Sequence, residues 1–344
     1  MAVNTWDGAA DTDWDTAGNW DTTGATDRVP TSADDVIIPD TSALNNPTLG
    51  GTANVKSLTI ATDGTVVGGG QTIIIHDEGD GSGGTDQYAA HIQGIISGEL
   101  SLDQRTQETG YLRLSPSSGN IHDLTINHAD CVSTLGNFGD VTLTGDLTIT
   151  AGQLTTSGNN VNLTVTGGID ITGTLTSNAS TITALAMRIN SGGTYNATSG
   201  TTTLSDSDIK YGRVLTVHTD GIFNHNKGLM KFTGGSMPEI EITGQSLTKN
   251  PFYNLQNTNN AYWATNAYVL NNATIAGTNY AGATGYTTVL GICENTAGDY
   301  NAASHESTSA NHFFGTFILS GGTLRLSPME ITVGSFRNTG GTVS

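Results

Sequence analysis

"LTITAGQLTTSGNNVNLTVTGGIDITGTLTSNASTITALAMRINSGGTYNATSGTTTL", Leu147 to Leu204, decides the fold. Short alternations of Leu, Ile or Val with Thr recur every six to eight residues, separated by Gly, Asn, Ser or Asp. Aligning every third segment brings out a longer period. Leu147, Ile169 and Ile189 are spaced by 22 and 20 residues, and Leu154, Leu175 and Tyr195 by 21 and 20. Val161, Ile182 and Leu204 follow at 21 and 22. Three short strands per turn of 20 to 22 residues is the arithmetic of a three-faced parallel β-helix. Each strand is too short to stand alone. Stacking the next turn about 4.8 Å along the axis pairs its backbone and buries its apolar stripe. Thr stands outward, and Gly, Asn and Asp, which tolerate positive φ, turn the corners. A β-sandwich would space its strands at about 8–12 residues; the shorter spacing here, kept over three turns, predicts the β-helix.

Composition agrees. Hydrophobic residues make up 35% of the 344 residues, below the globular norm of about 45–50%, as suits a thin, repetitive core. Glu, Lys and Arg are scarce, while Thr favours strands and the 45 glycines favour turns. The formal net charge of −19 and only 12 basic residues exclude a nucleic-acid partner, which needs Lys and Arg against phosphates. No stretch approaches the apolar length of a membrane span. Cys131 and Cys293 lie far apart with no CxxC spacing, so two buried free thiols are expected ahead of a disulfide.

The repeat is interrupted. Residues 1–40 form a Trp-rich segment read as a cap or anchor, 41–249 the β-helix, 250–315 an aromatic, Asn-rich irregular insertion, and 316–344 resumed strands. A polar, Gly-rich excursion, "HDEGDGSGGTDQ", falls at His76 to Gln87. In "NTWDGAADTDWDTAGNWDTTG", Asn4 to Gly24, three of the four tryptophans stand among five Asp residues. A β-helix has an open apolar end, so Trp6, Trp14 and Trp20 are expected to plug the first turn. The alternatives are an anchor into a neighbouring protein and a sugar platform. At the other end the strand pattern still runs at Ser344, and a partner, a second subunit or further residues are expected to cover it.

The opening pattern Trp6, Trp14, Trp20, Pro30 and "ADDVIIP" (Ala33 to Pro39) resembles the start of repetitive β-solenoid surface proteins of bacteria and phages. "IFNHNKGLMKFTGGS", Ile222 to Ser236, followed by "FYNLQ", is similar to a module of phage fibre-like and bacterial adhesin-like β-helix proteins. The start "MAVNTWDGAADT" has no Sec signal peptide, so export implies a removed leader or release by lysis within a virus particle; the Met followed by small residues favours lysis. The resemblance then points to structural proteins of tailed phages, particularly marine ones: tail fibres, spikes or capsid appendages. It implies a virion location, other virion proteins as partners, homotrimerisation and attachment to a host surface. A bacterial adhesin fragment and a polysaccharide-degrading spike are the alternatives.

No catalytic residue is assigned. Glu239 and Glu241 in "PEIEIT" share a strand face about 7 Å apart, a separation that glycoside hydrolysis accepts. A solvated outer face explains the same alternation. Glu99, Asp103, Arg105 and Glu108 form a second acidic cluster without diagnostic spacing. Asp11, Asp13 and Asp15 begin like an EF-hand loop, but Thr16 and Thr22 stand where Gly and Glu are required. Asp77, Glu78, Asp80 and Asp86 offer oxygen ligands for a casual Ca²⁺ ion, yet a solvated acidic loop is the expectation. The eight histidines lack metal-ligand spacing, so no metal or cofactor is expected. The binding candidate is Tyr262, Trp263 and Tyr268, as a glycan platform or, in the favoured reading, a packing or subunit contact.

Overall fold

A computed structural model describes residues 2–77, 88–107, 109–136, 139–156, 160–205, 212–234, 239–259, 261–277, 279–281, 287–297, 299–301, 312–325 and 331–344. It is all-β, with parallel strands stacked as β-solenoid turns, about 11 in all with a repeat near 22 residues. Among the described residues no helix is long and apolar enough to cross a membrane. The chain divides into two compact units, residues 1–167 with 173–175, and residues 168–172 with 176–344.

In the first unit three ladders form three faces. One aligns Val36, Leu58, Ala90 and Leu112. A second aligns Ala53, Ile73, Leu102, Leu124 and Leu147, with Val55, Ile75, Gln104, Ile126 and Ile149 alongside. The third runs through Thr65–Val67 and Ile95–Ser97, and pairs Val141–Leu143 with Leu163–Val165. Alternate residues of most strands point inward, so the core is built of apolar stacks. Gln104 is the polar member of its stack. Its Oε1 accepts the Ser133 hydroxyl at 2.7 Å and its amide donates to Thr106 Oγ1 at 3.2 Å, which satisfies its buried polar atoms.

The first turn is closed by the tryptophans. Val3–Trp6 pairs in parallel with Asp35–Ile38 and, on its other side, antiparallel with Trp20–Thr22, which puts Trp6 opposite Trp20. Trp14 reaches the cluster from a bridge between Asp13 and Thr48. The rings of Trp6 and Trp14 meet Trp20 edge-on at 5.0 and 4.7 Å. Trp6, Trp14 and Trp20 are 0%, 2% and 0% exposed. Trp6 Nε1 donates to the Asn45 carbonyl at 2.6 Å and Trp20 Nε1 to the Trp14 carbonyl at 2.8 Å. Gly8, at φ +57, passes so close that a Cβ there would lie 2.8 Å from Asn45 O; only glycine fits. Arg28 locks the following loop with a two-pronged ion pair to Asp34, whose side chain is 1% exposed.

In the second unit one face stacks Met187, Leu215, Ile240 and Trp263. Another stacks Ala184, Leu204, Phe232, Asn257, Ile275, Asn295 and Leu319. The third begins with Tyr195 over Phe223 and continues through the bridge of Phe252 to Val269. Two expectations change here. Ile182 pairs with Thr202, and Ala184, not Ile182, sits beside Leu204. Thr202 can take an inner position because its hydroxyl bonds the buried Tyr195 hydroxyl at 2.7 Å. Residues 250–315 are not an irregular insertion where they are described. Asn254–Asn257, Ala261–Trp263, Ala267–Val269, Ala273–Ile275 and Thr287–Asn295 each pair in parallel register as solenoid strands. Their inward residues include Ala261, Ala267, Ala273 and Asn257, which gives no Val/Ile/Leu alternation to see. Cys131 and Cys293 are both buried free thiols, as expected.

Candidate functional site

Tyr262, Trp263 and Tyr268 do not form a platform. Trp263 is 6% exposed and faces inward, its ring edge-on to Phe232 and Phe252 at 6.2 and 6.1 Å, so it has no face for a sugar. Alternation turns Tyr262 outward from the same strand, beside Glu239 of the preceding turn. Tyr268 lies half-buried on a different face, in the strand that bridges to Phe252. Trp6, Trp14 and Trp20 are also spent inside the chain, which leaves no ring to anchor in a second protein or to stack on a sugar.

The carboxylate pair is likewise engaged. Glu239 and Glu241 stand outward between buried Ile240 and Ile242. Arg213 spans both: Nε meets Glu239 Oε1 at 2.9 Å and Nη1 meets Glu241 Oε2 at 2.8 Å. In the other acidic cluster, Arg105 holds Asp103 at 2.6 Å, and Glu108 lies outside the described residues.

Asp11 and Asp13 fold around an amide, and Asp15 N–H donates to Asp13 Oδ1 at 3.0 Å. Buried Asn19 donates to Asp11 Oδ1 at 2.6 Å and to the Asp13 carbonyl at 2.8 Å. Its own Oδ1 accepts the backbone N–H groups of Ala10 and Asp11. The Asn19 hydrogen bond, with one from the Asp13 backbone, holds the Asp11 carboxyl below its usual range. Asp77 ends the described part of the second acidic loop; Glu78, Asp80 and Asp86 lie outside it. No cluster of three or more His, Cys, Asp or Glu able to hold a metal occurs among the described residues.

One feature gave no sequence signal. Between Ile242 and Phe252 the chain leaves the ladder as a corner loop, 243–250. Ser246 N–H donates to the Lys249 carbonyl, and the Lys249 ammonium donates to the Thr219 carbonyl at 2.7 Å. Asn250, at φ +54, replaces a strand peptide: its Oδ1 accepts Phe223 N–H at 2.8 Å and its Nδ2 donates to Gly221 O at 3.0 Å. Two surface grooves flank the loop. One, of about 340 Å³, is lined by Asn224, His225, Asn226, Leu247, Thr248 and Leu270 among others. The other, of about 280 Å³, is lined by Ile242, Gly244, Gln245, Thr265 and Asn266. Gln245 is 6% exposed, and its Nε2 donates to Asn250 O at 2.8 Å. Its Oε1 is buried with no hydrogen-bond partner among the described residues. His225 stacks on Tyr253 at 5.3 Å and accepts Lys227 N–H on Nδ1. Burial, then the charge of Lys227, lowers its pKa, so the ring is neutral at pH 7 and carries its proton on Nε2.

The fold therefore defines a parallel β-solenoid protein with a tryptophan-capped first turn. No family model matches the chain, and neither does any curated protein or solved structure.

Proposed function

We propose that this chain is a non-catalytic structural protein of a bacteriophage particle, a fibre, spike or capsid-appendage component that meets a host surface or decorates the shell. The observation that carries the reading is the repetitive solenoid with its outward polar ladders. Thr125 aligns with Thr148, Thr142 with Thr164, and Thr183 with Thr203, while Asn224 donates to Asn196 at 2.8 Å. Hydroxyls and amides thus repeat about every 4.8 Å along a face, an arrangement suited to contact rather than to chemistry. The resemblance of the Trp-rich opening and of residues 222–256 to phage and adhesin β-helix proteins supplies the virion context. The engagement of Glu239 and Glu241 by Arg213 supports a non-catalytic role.

Purified particles of a phage whose genome encodes the chain should contain it by mass spectrometry, and an antibody against it should label a fixed site on the virion. Its absence from particles, with secretion genes beside its own, would replace this reading with the bacterial adhesin. Incubation with host polysaccharide should release no new reducing ends; their appearance would establish the degrading spike.

A further inference from the structure

The loop 243–250 brings together a buried unpartnered acceptor and two flanking grooves. Gln245 lines one groove, and its Oε1 is buried with no hydrogen-bond partner among the described residues. Such an atom costs free energy until a donor reaches it. Thr265 and Asn266 beside it add a hydroxyl and an amide. In the groove on the other side of the loop, Asn224, Asn226, Thr248 and the His225 ring stand with Leu270 and with Leu247, which is 39% exposed. Many short-range donors and acceptors around a small apolar surface match a molecule that carries hydroxyls on its edges and C–H groups on its faces. A volume of about 340 Å³ lies at the lower end of ligand sites, roughly 300–1,000 Å³. Neither groove is lined by a carboxylate or an arginine. Lys249, the loop's one cation, is turned to the Thr219 carbonyl. With a formal chain charge of −19, an anionic ligand would meet repulsion and find no counter-charge.

We propose that the corner loop 243–250 and its flanking grooves bind a neutral saccharide, with Gln245 Oε1 accepting a sugar hydroxyl and Leu247 and Leu270 meeting a ring face. This site lies apart from Tyr262, Trp263 and Tyr268. It rests on the attachment reading above for its biological sense but not for its test.

The test is saturation-transfer difference NMR on the whole chain. The neutral probes are maltoheptaose, mannohexaose and N-acetylchitohexaose, and the anionic ones are trigalacturonic acid and sialyllactose. At least one neutral oligosaccharide should bind and neither anionic one should. Gln245→Met, near in shape but without the acceptor, should weaken binding roughly three- to tenfold. Leu247→Ala, at an exposed position that folding does not need, should weaken it severalfold while the melting curve stays unchanged. Binding of no neutral probe, preference for an anionic one, or unaltered affinity in Leu247→Ala would overturn the assignment. Particle location is read separately by mass spectrometry of virions, so either proposal can fail while the other stands.

Discussion

Replacing Trp20 with alanine tests the cap directly. Trp20 is fully buried, touches both other tryptophan rings edge-on at 5.0 and 4.7 Å, and donates to the Trp14 carbonyl. Truncating a buried Trp to Ala costs about 3–5 kcal/mol. Two ring contacts, each worth about 0.5–1.5 kcal/mol beyond burial, place Trp20→Ala toward the upper end of that range. Each solenoid turn contacts only its neighbours, so the loss should concentrate at the first turns. Hydrogen exchange is the assay. Amides of Val3–Trp6, Asp35–Ile38 and Ser57–Ile60 should open roughly a thousandfold more often, the equivalent of about 4 kcal/mol. Strands of residues 176–344 should keep their protection. The uncovered strand edge of the first turn should also raise concentration-dependent association by light scattering. Trp20→Phe should lie between the two. Unchanged protection in Val3–Trp6 would refute the cap, and uniform loss over the whole chain would refute its locality.

Acid should loosen the loop that Arg28 fastens. Burial raises the Asp34 pKa, but hydrogen bonds from Arg28 and Thr31 outweigh it and leave the carboxyl below its usual value. Its contribution is therefore complete above the unfolded carboxylate value near about 4 and is lost as pH falls through the lower folded value. Asp34→Asn should remove that part of the acid transition in a pH-melting series. Arg213→Gln should cost less than about 1 kcal/mol in chemical denaturation, because the pair is a third exposed and screened; a loss above about 2 kcal/mol would show the clamp to be structural. Asn250→Gly keeps the positive φ and deletes the amide, so two buried backbone groups of residues 221–223 lose their partner, at about 2–4 kcal/mol, with faster exchange at Phe223. Cys293, whose thiol burial pushes far up, and buried Cys131 should resist Ellman's reagent until guanidinium unfolds the chain; prompt native reaction would contradict their burial.

How much of this was legible depended on what filled the inward positions. Where Leu, Ile and Val fill them, as in Leu102, Leu124 and Leu147, the period could be read from the sequence and the three-faced solenoid followed. It failed where small or polar residues take the same places. Thr202 inside shifted the assigned register by two residues, and Ala261, Ala267, Ala273 and Asn257 disguised whole strands as an insertion. The tryptophan cap was legible because a solenoid end must be covered and the preceding segment had only those rings to cover it with. Trp263 could not be told apart from its outward neighbours Tyr262 and Tyr268, because sequence alone does not say which parity faces in. The Arg213 clamp joins residues 26 apart, a distance that acquires meaning only once the turn length is known.

Functional positions in such a fold should be sought where the ladder breaks rather than along it. On a regular face every outward residue has the same backbone beneath it, so the fold neither selects its identity nor records its use. At 243–250 the chain departs, and a departure exposes backbone groups of the turn below. Asn250 removes that cost, since its side-chain amide supplies to Gly221 and Phe223 the donor and acceptor that a strand peptide would have given. The loop is thereby freed from pairing without destabilising its neighbours, and a groove lies on either side of it. Gln245, tied to the Asn250 carbonyl, reports the same economy with one atom left over: its Oε1 has no partner among the described residues. A loop made only to turn a corner has no need of a buried acceptor, since an apolar side chain of similar size would fill the space without desolvation cost. That surplus atom is the physical ground for placing a ligand at the break.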